Sequence, residues 1–580
     1  MLQLFTRADV AALVGELYGC APWLAERAWQ TLPLSSPAAC KLRLARIVRE
    51  ATHEQQVSLL LARGDFSAGE SGADEAGAGG AWRMQAGAGE LPRMRELAAQ
   101  YARQFGWPFV PDLAGPLARC LGAAQILGAL QRRLENPPEM ELAESLRQLH
   151  RIAELRLNRK LGLRPLLGEQ VLDWCESLAQ HSEPPWRERG RLTVTYLSEA
   201  HRACAVQLGE WMNECGFDEV HVDAVGNVVG LHHADRRDAP RLLTGSHYDT
   251  VRDAGRLDGR VGIFVPMACV RELAREGRRL LFGIEVVGFA EEEGQRFAAA
   301  FLGSSALTGA FDPAWLDLRD AQGMRMREAM LEAGLPADMQ AIHALRRDPA
   351  RYLGFVEVHI EQGPVLEALD LPLGVVHSIN ASWRALGEVV GVASHAGTTP
   401  MQARRDAACA VAEVMLLAER SAAAEPGAVA TVGQLEVPGG SVNVVPGRCR
   451  FSLDVRAPAD ALRDRVRAVV EKGLHEVCRR RGLRAQLRET LREPAAPSDA
   501  GLQARWERAV AGLGVEVHLM SSGAGHDAMK MHRLLPQAML FVRGSLGGIS
   551  HNALESSTAD DLQLACLAFQ RMLEDFCVSC

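Results

Sequence analysis

Short apolar runs that stop abruptly in glycine-rich turns recur through the later part of this chain: RLLTGS ahead of His247, RLLFGIEVVGFA ahead of Glu291, and GEVVGVAS ahead of His395. Each is followed by a helical pattern, and that alternation is what strands and covering helices of an α/β domain look like. LLFGIEVVGFA is apolar without a break, which predicts a central parallel strand. Residues 1–163 have a different texture. In AALVGELYGCAPWLAERAW, CKLRLARIVREATHEQQVSLLLA, MRELAAQYARQFG and MELAESLRQLHRIAELRLNRKLG the apolar residues return every three or four positions, which predicts an all-α domain. The Gly/Ala-rich stretch from Ser67 to Ala81 reads as a flexible loop. At 580 residues the chain exceeds what one core holds, and about three compact units are expected.

Bulk properties narrow the function. The net charge is −8, which leaves no electrostatic footprint for nucleic acid. The thirteen cysteines are odd in number and scattered, so free thiols in a reducing cytoplasm are expected, with Cys577 and Cys580 an incidental tail. The opening MLQLFTRADVAALVGEL lacks the basic and apolar regions of a signal peptide, and no run approaches the ~20 apolar residues of a membrane span.

Acids and histidines gather where the apolar runs end. GSHYDTVRDAGRLDGRVG holds His247, Asp249 and Asp258 between glycines. Residues two apart on an extended segment face the same way, so Asp249 can accept the second ring N–H of a metal-binding His247. Asp258 sits in a glycine-bracketed turn before a helical pattern, where a carboxylate can bridge two metals; taken alone, the stretch equally suits a helix-capping Asp and a buried, satisfied His. EEEGQRF places Glu291, Glu292 and Glu293 at a strand end, the edge at which open α/β sheets bind ligands. Glu291 reads as part of a solvated turn. VEVHIEQGP adds His359, Glu361 and Gln362, and GGISHNALES adds His551. Several histidines and acids at strand ends suit a mixed N/O site for Zn²⁺ or a similar ion.

With these motifs assembled, residues 164 to 580 resemble the dinuclear-metal amidohydrolases of the carbamoylase and allantoate amidohydrolase family, relatives of the metallo-aminoacylases and carboxypeptidase G. GSHYDTV, LDGRVG, EEEGQRF, HIEQGP, SHAGTTPM, GHDA and ISHN carry the likeness in the family's order. The resemblance implies His247, Asp258, Glu293, His359 and His551 as ligands of two divalent ions, Zn²⁺ or Mn²⁺. Asp258 would be shared: one ion also on His247 and His359, the other on Glu293 and His551. Glu292 would be the general base and Asp249 the partner of His247. The likeness further implies a catalytic domain over 164–378 and 496–580, interrupted by a ferredoxin-like α+β lid and dimerisation domain over 379–495. From that lid His395 would steady the oxyanion in the partner subunit of a homodimer. Arg456, with Asn443 and Gln362, would grip a substrate carboxylate, and His526 would be a further substrate contact.

Residues 1–163 resemble the helical 2-oxo-4-hydroxy-4-carboxy-5-ureidoimidazoline (OHCU) decarboxylases, through CAPWLAERAW, YARQFGWPFV and LHRIAELRL. Arg156 would be a retained substrate arginine, whereas Arg63 and Met84 stand in the family's His and Glu places. An arginine stays protonated and cannot serve as a base, so the fold is expected without the decarboxylation chemistry. Fusion of a urate-pathway domain to an amidohydrolase points to allantoate as the ureido substrate. N-carbamoyl-amino acids, N-carbamoyl-β-alanine and a non-catalytic metal-binding scaffold are the other readings left open.

Overall fold

The computed structural model describes residues 6–19, 21–30, 37–62, 90–110, 123–162, 166–189, 191–236 and 238–579. These residues form two compact units. The first comprises Met1–Gly374, Arg505–Val517 and Leu540–Cys580; the second comprises Val375–Ala504 and His518–Met539. The 379–495 insert expected from the sequence lies inside the second unit.

The first unit opens with the all-α region. Its described helices include Arg7–Tyr18, Pro22–Trp29, Pro37–Arg49, His53–Leu61, Glu90–Phe105, Ala123–Leu134 and Pro138–Leu161. Two of them start in capping boxes, Thr6 with Asp9 and Thr52 with Gln55, where each threonine hydroxyl and its acid or amide partner satisfy amides that the first turn leaves unpaired. Val14, Leu24, Val48, Leu60, Tyr101, Leu130 and Leu149 are buried in one apolar core. One charged pair lies inside it. Arg133 donates from Nε to Glu141 at 2.7 Å and from a terminal nitrogen to the Val110 carbonyl at 2.8 Å, and Tyr101 also donates to Glu141. With both charges partnered, the buried pair is tolerable, and removing either would strand the other.

The α/β region follows. Strands β1 (Glu219–Val222), β2 (Val228–His232), β3 (Arg241–His247), β4 (Gly283–Phe289) and β5 (Tyr352–Ile360) lie in the order β1-β2-β4-β3-β5. β3 runs parallel to both β4 and β5, but β4 is antiparallel to β2. The apolar run ending at Ala290 is therefore a central strand in a mixed neighbourhood, not parallel on both sides. Its continuous hydrophobicity reflects burial of every residue from Gly283 to Phe289, whichever way its neighbours point. Helices Leu166–Leu178, Arg260–Arg275 and Ala559–Ser579 pack on one another, and Arg260–Arg275 also covers β3, β4 and β5. Because β3 pairs in parallel with β4, with His247 opposite Phe289, both strands release the chain at the same edge.

The second unit contains a five-stranded antiparallel sheet built on Ala381–Val390, Arg448–Ala457 and Arg484–Glu493. Helices Ala407–Ala423 and Asp460–Arg481 pack together against it. Burial alternates along Arg448–Ala457, as it must when one face meets helices and the other does not. Trp383, Val411, Val414, Phe451, Leu453 and Val470 form its core. Among the described residues of the whole chain, no helix is long and apolar enough to cross a membrane.

Candidate metal centre

His247 is the last residue of β3, and the turn after it returns to the sheet edge at Asp258. Asp258 lies between two groups of donors. Its Oδ1 is 3.3 Å from His359 Nε2 and 3.6 Å from His247 Nε2. Its Oδ2 is 3.1 Å from His551 Nε2, which is itself 3.4 Å from Glu293 Oε1. Both inner imidazoles are oriented by backbone carbonyls. His247 Nδ1 donates to the Asp249 carbonyl at 3.1 Å and His359 Nδ1 to that of Ile360 at 2.9 Å, which turns each Nε2 toward Asp258. The Gly259 amide donates to His359 Nε2 at 3.2 Å, in keeping with a lone pair there.

The turn carrying Asp258 depends on Gly259. Its φ is +67°, and a Cβ there would stand 2.4 Å from the His247 carbonyl oxygen and 2.6 Å from the His247 ring. A side chain would be both strained and in collision with a neighbouring donor.

Asp249, expected as the partner of His247, has a wider task. One carboxylate oxygen lies 3.4 Å from His247 Nδ1, but the ring's hydrogen bond goes to the backbone carbonyl. The fully buried carboxylate accepts the amides of Glu292 at 3.0 Å and Glu293 at 3.2 Å, and so shapes the acidic turn. Glu292 and Glu293 thereby come close to His247. Glu291 corrects the sequence reading: it is buried, not solvated. Burial, reinforced by Asp249 and Glu293, drives its pKa well above the usual carboxylate range.

Gln362, expected as a substrate ligand, reaches into the cluster itself. Its Nε2 is 3.1 Å from Asp258 Oδ2 and 3.3 Å from both Ser550 Oγ and His551 Nε2. Both Gln362 and His551 hold positive φ, +57° and +53°, a conformation uncommon outside glycine that turns up at functional sites. Glu555 is a residue the motifs did not single out. Its Oε1 accepts the amides of Leu257 at 2.8 Å and Asp258 at 3.1 Å, while its Oε2 accepts the Ser550 hydroxyl at 2.6 Å. It ties the Asp258 turn to the segment bearing His551.

The electrostatics are those of a site short of positive charge. Burial opposes ionisation of Asp258, yet its three histidine partners hold it well below the usual range. Hydrogen bonding to Asp258 raises His551 to about 9, and burial followed by the Asp258 charge lifts Glu293 to about 7. Burial also takes Glu555 to about 7. Protons thus crowd onto groups that a cation would otherwise neutralise. The donor set fits a divalent cation of the Zn²⁺ or Mn²⁺ kind. It offers imidazole nitrogens and carboxylate oxygens, and Asp258 Oδ1 is buried without receiving a hydrogen bond. Ligand atoms fall within 4.8 Å of one another in His247–Asp258–His359, in Asp258–Glu293–His551 and in His247–Glu292–Glu293.

The expected lid and substrate residues His395, Asn443, Arg456 and His526 lie in the second unit. His395, exposed, pairs in a short strand with Val444, beside Asn443. Arg456 is engaged by Asp454 at 2.9 and 3.0 Å and by the Gly523 carbonyl at 2.7 Å, so a substrate carboxylate would have to compete with Asp454. Arg384, Thr431, Asp454, Arg456 and Gly523 line one hollow there. His526 is buried, with Nε2 at 2.8 Å from Ser522 Oγ. In the helical region Arg156 donates to the Glu16 carbonyl at 3.1 Å, at the C-terminal end of helix Arg7–Tyr18, where a cation suits the helix dipole. Arg63 and Met84 lie outside the described residues.

Imidazoles and carboxylates gathered at the exit edge of an α/β sheet, around one aspartate that faces both groups, define the class as that of the α/β metallohydrolases. The chain belongs to peptidase family M20/M25/M40, whose model matches residues 243–575, and the OHCU decarboxylase family model matches residues 4–158. It is 37% identical over 396 residues to an N-carbamoyl-L-amino acid amidohydrolase of Geobacillus stearothermophilus, a match covering 68% of this chain and 95% of that protein. It is 35% identical over 413 residues to the allantoate deiminase of Arabidopsis thaliana, covering 66% of this chain and 78% of that one. A solved hydantoinase/carbamoylase family amidase from Burkholderia multivorans superposes with a TM-score of 0.65 at 29% identity, over 71% of this chain and 98% of its own.

Gly259→Ala should weaken divalent-metal uptake by about tenfold or more, the usual scale for disturbing what orients a ligand. Calorimetric titration with Zn²⁺ checks this, with far-UV circular dichroism expected to stay that of the wild type.

Proposed function

We propose that the chain is an allantoate amidohydrolase of purine catabolism, acting in the cytoplasm on the C–N bond of a ureido group. What carries the hydrolytic reading is Asp258, whose two oxygens face separate groups of donors. In this reading His247, Asp258 and His359 hold one divalent cation and Asp258, Glu293 and His551 a second. Bound there, Zn²⁺ or Mn²⁺ would supply Lewis acidity toward the scissile carbonyl. The chain's own residues do the proton work. Glu292, whose backbone N–H donates a hydrogen bond to the Asp249 carboxylate, takes a proton from the attacking water on a carboxylate oxygen and returns it to the departing nitrogen. His395 acts as donor to the developing oxyanion in the site of the partner subunit, and Arg456, Asn443 and His526 bind the substrate's polar groups, with residues 379–495 serving as lid and homodimer contact. Gln362 orients Asp258 and His551 as well as any substrate.

The choice of allantoate over N-carbamoyl-amino acids rests on the fused OHCU decarboxylase-like domain and on relatives named as allantoate deiminases. The amidohydrolase relative named for carbamoyl-amino acids keeps the second reading in play.

Glu292→Gln should keep metal stoichiometry near wild type and cut turnover by roughly 10²-fold or more, whereas Glu293→Gln should lose part of the metal. Metal analysis alongside ammonia release separates the two, and exchanged phenotypes would shift the base assignment by one residue. Allantoate should exceed N-carbamoyl-β-alanine and N-carbamoyl-amino acids in kcat/KM. A preference for carbamoylated amino acids would install the second reading. For the helical domain, with Arg63 and Met84 in the family's His and Glu places, the full chain should decompose freshly generated OHCU no faster than the spontaneous background, followed by circular dichroism. Marked acceleration would mean that other residues do that chemistry.

A further inference from the structure

Among the contacts the helical domain makes with the amidohydrolase region, two arginines of one helix meet at a single residue, Glu367. Arg49, on helix Pro37–Arg49, donates to Glu367 Oε1 at 2.6 Å, and Arg46 on the same helix donates to the Glu367 backbone carbonyl. The other oxygen of Glu367 accepts the Gly547 amide at 2.5 Å. Gly547 is in the segment that continues through Ser550 and His551 to Glu555. Glu367 itself is buried, in the short helix Val365–Leu369 that follows Gln362.

The two segments meeting at Glu367 are packed without slack. A Cβ on Gly548 would fall 1.6 Å from the Gly363 carbonyl oxygen. Beyond this contact, one segment delivers Gln362 and the other delivers Ser550 and His551, and these three touch one another. A shift at Gly547 therefore passes to His551 through a few residues of tightly seated backbone.

We propose that Glu367 is a positioning residue, held from the helical domain by Arg49 and Arg46, and that through it the helical domain sets the geometry of the His551 half of the metal centre. The inference rests on the reading of His551 as a metal ligand. It gives the helical domain a task within this enzyme that needs no decarboxylation. The His247–Asp258–His359 half has anchors of its own in β3, β5 and backbone carbonyls, and meets the clamp only indirectly, through the Asp258 turn that Glu555 tethers and Gln362 touches.

The test uses the full chain, titrated with Co²⁺, whose visible spectrum reports ligand geometry, and with Zn²⁺ by calorimetry. An Arg46→Ala, Arg49→Ala double variant and Glu367→Gln should each weaken one class of metal site by about 10- to 100-fold, the range for lost outer partners of ligands. The other class, anchored by β3 and β5, should change at least several-fold less, and the Co²⁺ spectrum should change chiefly for the weakened class. Arg49→Lys should recover part of the loss. Arg43→Ala removes a cation 3.9 Å from Asp370 on the same face but off the Glu367 path, and should leave both classes unchanged. Wild-type affinities and spectrum in the double variant would overturn the proposal, as would an equal loss in Arg43→Ala, which would mark a general interface effect. His551→Ala distinguishes the underlying reading. Loss of one class there with no effect of the arginine variants defeats the clamp alone; two intact classes there defeat the ligand assignment and the clamp with it.

Discussion

Everything at the centre of this molecule is arranged around the carboxylate of Asp258. Three imidazoles lie within 3.6 Å of its two oxygens, and the turn that carries it is held from below by Glu555 through two backbone amides. Such a group is costly to bury unless positive charge surrounds it. The fold meets that demand by ending β3 at His247, placing His359 near the end of β5, and bringing His551 in from a segment close to the C-terminus. Glycine at position 259 follows from the same requirement, because the turn has no room for a side chain against His247.

The acidic turn after β4 shows how context separates neighbours of one chemical type. Glu291, Glu292 and Glu293 are consecutive, yet Glu291 is buried with its pKa pushed well up by that burial, while the backbone amides of Glu292 and Glu293 hang from the Asp249 carboxylate beside the histidines. One buried aspartate thus decides which of three acids face the cluster. The reading of one neighbour as base and the next as ligand depends on this kind of division.

Much of the site could be read from the sequence because strand ends announce themselves: an apolar run, a glycine, then a polar residue with nowhere to go but the edge. His247, Glu293 and His359 stand at or just past strand ends in this way, whereas the full set with Asp258 and His551 came from the resemblance of the motifs; the five lie close together. Glu555 could not be read that way. It acts through backbone amides of residues nearly three hundred positions earlier, and amides leave no mark in a sequence. Gln362 was legible as a site residue but not in its orientation, which depends on a positive φ. The strand at Gly283–Phe289 was legible as central; the antiparallel neighbour was not, since burial on both faces looks the same for either direction.

The order in which the chain is synthesised gives the long-range contacts another meaning. The last described helix, Ala559–Ser579, begins with its Ala559 amide on Glu154, 405 residues earlier, and Lys41 pairs with Asp560 across 519 residues. The helical domain is synthesised before the amidohydrolase region, and domains generally fold as they emerge. The final helix then docks on a surface already formed. Until His551 and Glu555 have emerged, the Asp258 turn lacks both its outer imidazole and its tether. A chain stopped before His551 carries only an open half of the cluster, and the centre closes only after nearly three hundred residues beyond Asp258 have been added.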